Sequence, residues 1–163
     1  MKGNNTLGIS PGTRYVGIAI FQDGNLHDWK IRNFTGAWTE NKLESALAYI
    51  EELIINQFVK NIACKLPHSS RCSHGLKILI EKIKEIAKRF KINLHLYNID
   101  QLKEYFKFDI SNKEDLAGYL CSKYPELIKT FNKLRASKHG YHLRAFEAIS
   151  AGLHYHNNNC NAE

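Results

Sequence analysis

The first 34 residues constrain the fold most. Leu7 and Ile9 alternate with Thr6 and Gly8, and Ser10-Pro11-Gly12-Thr13 then supplies turn chemistry. A second β-type run covers Tyr15 to Phe21, Asp23-Gly24 is a two-residue hairpin signal, and a third run covers Leu26 to Phe34. Three strands joined by turns this short can only pair as an antiparallel meander.

The periodicity then changes. Leu43, Ala46, Leu47, Ile50 and Ile54 form a helical stripe opened by Thr39 as N-cap, with Glu40 at the positive end of the helix dipole. Val59 to Leu66 reads as a buried strand stopped by Pro67. A second helix starts at Gly75. Leu76, Leu79, Ile80, Ile83, Ile86, Ala87 and Phe90 form its buried face, and Glu85 stands four residues before Arg89 on its outer one. Ile92 to Ile99 is a fifth strand. Such crossovers give parallel, right-handed connections. The expected architecture is therefore α/β: a five-stranded mixed sheet of order 3-2-1-4-5 with helices on both faces.

The remainder reads as helical. Asp100 is placed to cap a helix at Gln101 to Phe106, and Ser111 with Glu114 forms a capping box for a helix at Asn112 to Tyr124. Further helices are expected at Glu126 to Leu134 and at Tyr141 to His156, with a basic loop, RASKHG, between them. Ala145, Ala148, Ala151 and Gly152 would let the last helix approach a sheet closely. A single domain over residues 1–163 is expected, with residues 157–163 fraying.

Charge narrows the function. Residues 60–91 hold nine Lys and Arg against two Glu, a surplus equal to the +7 of the whole chain. A second stretch, Lys129, Lys133, Arg135, Lys138 and Arg144, has no acid between Glu126 and Glu147. Concentrated positive charge fits a polyanion, nucleic acid above all, or a merely solubilising helix face. Arg71, Lys77, Lys84, Lys88, Lys129, Lys133, Arg135 and Lys138 are the candidate phosphate contacts. No apolar run is long enough to span a membrane, and the N-terminus lacks a secretory stretch. The four cysteines form no C-x-x-C pair, so a reduced, cytoplasmic protein is expected. Cys64, His68, Cys72 and His74 have zinc-ligand chemistry at a spacing that matches no standard zinc module. His154 and His156 read as surface residues, Trp29 and Trp38 as packing residues; Tyr141 is open to base stacking.

The stretch LGISPGTRYVGIAIF (Leu7 to Phe21), the hairpin after it, the strand at NIACK and the helix HLRAFEAISAGLHYH (His142 to His156) resemble the RuvC Holliday-junction resolvases of the ribonuclease H-like superfamily. The resemblance covers nearly the whole chain, most specifically in the first strand. It implies four acids holding two divalent cations: an Asp ending the first strand, a Glu ending the fourth, and two acids one turn apart on the final helix. Here Ser10 stands at the first position, Lys65 at the second and Arg144 at the third; only Glu147 keeps a carboxylate. No acid lies between Lys60 and His74, so no local shift restores the missing Glu.

The reading that follows is a catalytically degenerate RuvC-like protein that binds structured nucleic acid, DNA first, through phosphates. It needs no metal or other cofactor, and the resemblance implies a homodimer. Lys65 or Arg144 would occupy the vacated metal position and pair with Glu147. One alternative is an active magnesium- or manganese-dependent endonuclease remodelled around Glu147, Asp100 and His142. A second is a protein-binding scaffold on the same fold.

Overall fold

A computed structural model describes residues 3–34, 36–106, 113–136 and 142–160. Strands β1 (Asn5–Ser10), β2 (Tyr15–Gln22) and β3 (Asn25–Asn33) form the expected meander. Asp23 and Gly24 both take positive φ (49° and 86°), as a tight hairpin turn between Gln22 and Asn25 requires. Helix α1 (Glu40–Asn56) follows, and the Thr39 side chain accepts from the Lys42 N–H as its cap. Strand β4 (Val59–Lys65), helix α2 (His74–Arg89), capped by Ser73, and strand β5 (Asn93–Tyr97) complete the sheet. Its order is β3-β2-β1-β4-β5, antiparallel for the meander and parallel for β1-β4 and β4-β5.

Strand alternation sorts the side chains between two layers. Leu7, Ile9, Val16, Ile18, Ile20, Ile62 and Cys64 point to one face, where α1 and α2 cover them. Helix α2 buries Leu76, Leu79, Ile80, Ile83 and Ile86 there, each aliphatic side chain contributing roughly 1.5–3 kcal/mol. Phe90 is not part of that face. It forms the C-cap, 36% exposed, with the Arg89 guanidinium 5.2 Å from its ring centroid.

The opposite face carries α3 (Ile99–Phe106), α4 (Lys113–Lys123), α5 (Ile128–Ala136) and α6 (Leu143–Cys160), with a 3-10 turn, Pro125–Leu127, before α5. Helix α6 crosses β1, β2 and β4. Both sides of that contact are small. A Cβ on Gly8 would collide with the Ala148 carbonyl, one on Gly17 with the Arg144 carbonyl, and one on Gly152 with the Phe21 ring.

Several local expectations are corrected. Strand β5 stops at Tyr97, and α3 is capped by Asn98, not Asp100. Asn98 Oδ1 accepts from the Gln101 N–H while Gln101 Oε1 accepts from the Asn98 N–H, both at 2.8 Å. Asp100 sits exposed in the first turn. The last helix does not fray at Asn157: it continues to Cys160, with Asn159 Nδ2 donating to the Tyr155 carbonyl at 2.8 Å. His154 and His156 are buried, not surface residues. Glu85 pairs with Lys82 at 3.1 Å, and Arg89 reaches Glu51 on α1 instead. The Ser111–Glu114 box and the loop with Lys138 and Tyr141 lie outside the described side chains.

Candidate nucleic-acid interface and its polar centre

Strands β1 and β4 run parallel, with Ile9 beside Cys64, so Ser10 and Lys65 end neighbouring strands at one edge of the sheet. Because Ile62 and Cys64 face α1 and α2, Lys65 emerges on the α6 side. There the first two turns of α6 present Arg144 and Glu147, one turn apart. The four positions therefore converge. Lys65 Nζ forms an ion pair with Glu147 Oε2, with the two residues 4% and 1% exposed. The Ser10 hydroxyl, fully buried, donates to the same Oε2 at 3.5 Å. Arg144 Nη1 donates to Ser10 Oγ at 3.5 Å and to the Pro11 carbonyl at 3.3 Å.

The two cations differ in what they have left to offer. The Lys65 charge is spent on Glu147 in a nearly buried pair. Arg144 is half-buried, and among the described residues it bonds only neutral oxygens, Ser10 Oγ and the Pro11 carbonyl, and makes no ion pair. Its guanidinium lies beside Gly12, whose added Cβ would sit 3.2 Å from Cζ.

Outside this centre opens a cleft of about 320 Å³, lined by Lys65, Arg144, Pro67, Leu76 and Ile99 and by the 3-10 turn Ser69–Arg71. His68 caps that turn, its Nδ1 accepting from the Ser70 N–H at 3.3 Å. Arg71 is exposed and, among the described residues, makes no ion pair. Of the candidate phosphate contacts among the described residues, Arg71 alone lines this cleft; Lys77 borders an adjoining groove with Leu66 and Cys72.

The remaining candidates are scattered. Lys84 is paired with Glu81 at 2.8 Å, and Lys88 lies ~16 Å along α2 from Lys77. Lys129, Lys133 and Arg135 are exposed on α5, across the sheet from α2, and do not line this cleft. Helix α5 is held there by the Trp29 indole N–H, which donates to Thr130 Oγ1 at 3.1 Å, and by Phe131 packed edge-on to Phe146. Trp38 packs edge-on to Phe34. Both tryptophans are therefore packing residues.

The zinc-type residues do not assemble. Cys64 faces the core beneath α1 and α2, and burial pushes its thiol up to about 12, far from the thiolate that zinc takes. Among the described residues no three His, Cys, Asp or Glu side chains group as a metal site. Asp100 does not join Glu147. At His142, burial and the nearby Lys133 hold the imidazole below its ordinary value.

A mixed sheet of order β3-β2-β1-β4-β5, crossed by a closely seated C-terminal helix that brings polar residues to the ends of β1 and β4, defines a ribonuclease H-like fold. Within that class the arrangement is the RuvC resolvase fold. RuvC from Thermus thermophilus superposes with a TM-score of 0.70 at 12% identity, covering 97% of this chain and 96% of the other. T. thermophilus RuvC in complex with Holliday junction substrate gives 0.69 at 12% identity over the same shares. The Fowlpox virus resolvase, solved with Holliday junction DNA, gives 0.64 at 15% identity over 95% and 98%. No protein-family model and no curated protein matches by sequence. Among the described residues no helix is long and apolar enough to cross a membrane.

Proposed function

We propose that the chain binds branched or otherwise structured nucleic acid, DNA first, through its phosphates, and does so without cutting it. The observation that carries this reading is the buried Lys65–Glu147 ion pair at the carboxyl ends of β1 and β4. The resolvase resemblance implies a carboxylate cage for two divalent cations at these positions. Magnesium and manganese take oxygen ligands and need converging negative charge. Of the four side chains gathered here one is a carboxylate, its Oε2 is engaged by an ammonium, and a guanidinium stands a turn away. The donor set does not fit a pair of divalent cations. Lys65 supplies in place the positive charge that Glu147 needs.

Exposed Arg71, Lys77, Lys129 and Lys133 supply the electrostatic attraction. Phosphate contacts of this kind position a nucleic acid without reading its bases, and their strength falls with salt as counterions are released. A homodimer would set two such surfaces side by side, as a four-way junction needs, and belongs to the same reading.

The test is a gel-shift and cleavage assay on labelled four-way junctions. The purified protein should retain the junction over linear duplex of the same length, lose it as salt rises, and leave every strand intact with magnesium or manganese present. Strand scission that disappears in Glu147→Gln would overturn the loss of chemistry. Salt-independent retention, or none, would overturn the phosphate reading.

A further inference from the structure

We infer that the cleft between Arg144 and Arg71 is a seat for a phosphomonoester, the terminal phosphate of a nucleic-acid strand. The inference builds on the proposed nucleic-acid binding and names which phosphate enters this cleft.

Charge comes first. Glu147 is shut behind the cleft in its pair with Lys65, and among the described residues no acid lines it. Arg144 and Arg71 thus face the same space without a carboxylate partner among the described residues. A bridging phosphodiester carries one negative charge, whereas a phosphomonoester carries ~1.5–2 at neutral pH and offers three terminal oxygens. Two guanidiniums match the monoester.

Geometry points the same way. One edge of the Arg144 fork is held by the Pro11 carbonyl and Ser10 Oγ, and its flank rests against Gly12. The guanidinium is thereby fixed in orientation, as bidentate recognition of a phosphate requires. Arg71 is presented by a short turn, its N–H bonded to the His68 carbonyl at 2.9 Å. The rest of the lining is Lys65, already paired with Glu147, His68 and Ser70, whose side chains bond each other at 2.7 Å, and Pro67, Leu76 and Ile99, which give an apolar wall suited to one sugar or base. At about 320 Å³ the space admits a nucleotide, and not the width of a duplex.

The experiment is a fluorescence-anisotropy series with single-stranded DNA and four-way junctions that differ only in ending with a 5′-phosphate, a 3′-phosphate or a hydroxyl. It uses the full chain, Arg71→Gln, Arg144→Gln and, as a control far along α2, Lys88→Gln. Arg71 lies on an exposed turn, so its variant keeps the fold even if Arg144→Gln does not; thermal melts monitor both. One of the two phosphate ends should bind on the order of tenfold tighter than the hydroxyl end, the gain expected from a charge-assisted contact. That preference should vanish in Arg71→Gln and Arg144→Gln, persist in Lys88→Gln and be competed away by inorganic phosphate.

Equal binding of phosphate and hydroxyl ends, with salt-sensitive junction binding intact, would overturn the inference and leave the proposed function standing. So would thermal stabilisation by inorganic phosphate that depends on Arg71 but comes with no preference among strand ends. Absence of DNA binding at any salt would overturn the proposed function and the inference together.

Discussion

Glu147→Gln removes the carboxylate and leaves the Lys65 ammonium, 4% exposed, without its counter-charge. Breaking a buried pair from one side typically costs about 3–5 kcal/mol, because the surviving charge is stranded in a poor solvent. Lys65→Met strands Glu147 in the same way and should cost as much. For a chain of this length each kcal/mol moves the melting temperature by about 2–4 °C, so each single variant should melt roughly 6–20 °C lower. The double variant Lys65→Met/Glu147→Leu removes both charges and keeps comparable volume, and such replacements are often neutral or stabilising. It should regain most of the loss, giving a coupling of about 3 kcal/mol or more in a double-mutant cycle read by urea unfolding. Ser10→Ala removes two long, 3.5 Å contacts, the one it donates to the same oxygen and the one it accepts from Arg144 Nη1, and should cost about 1–2 kcal/mol. The reasoning is refuted if each single variant costs under about 1 kcal/mol and the double variant is simply their sum, for then the two charges reach water separately.

Three further outcomes can be checked. Gly17→Ala sets a methyl against the Arg144 carbonyl, so α6 must shift; an overpacking loss of about 1–3 kcal/mol or more is expected, with weakened junction binding because Arg144 moves too. Burial holds His95, His154 and His156 below the ordinary imidazole value, so the unfolded chain takes up protons first as the pH falls. The stability these neutral rings contribute is present above about pH 6.5 and is lost as acid protonates them. His156 Nε2 has no hydrogen-bond partner among the described residues, so His156→Leu should be neutral or stabilising at pH 7.5 and should flatten that acid slope in urea titrations at pH 7.5 and about 5.5. Finally, Arg71→Glu should weaken junction binding and reduce its salt slope by about one or more, while Lys88→Glu, far along α2, should leave both nearly unchanged in the same filter-binding assay.

Local periodicity carried most of the fold. A period of two through β1 to β3, the Asp23-Gly24 turn and the stripes of α1 and α2 depend on neighbours within a few residues, and they are enough to order the sheet β3-β2-β1-β4-β5. The same locality explains the errors. Asp100 and Asn98 are both good capping residues two positions apart, and only where β5 leaves the sheet decides between them. Glu85 has Lys82 and Arg89 within reach on one helix, and the choice fell to Glu51 on another. His154 and His156 sit in a polar-looking tail, yet the helix continues beneath them and lays their rings against Tyr97 and Phe21.

The candidate site divides the same way. The identities at positions 10, 65, 144 and 147, and the reversal of charge among them, were legible from the sequence beside its resemblance to resolvases. Which cation takes Glu147 was not. That choice depends on the register of β4, since a slip of one residue would turn Lys65 toward α2, and on how closely α6 can lie over Gly8 and Gly17. The cleft that leaves Arg144 and Arg71 facing one space is likewise a product of packing between segments more than 70 residues apart. Side-chain chemistry is written in the chain; distances between its remote parts exist only once the sheet and helices have packed.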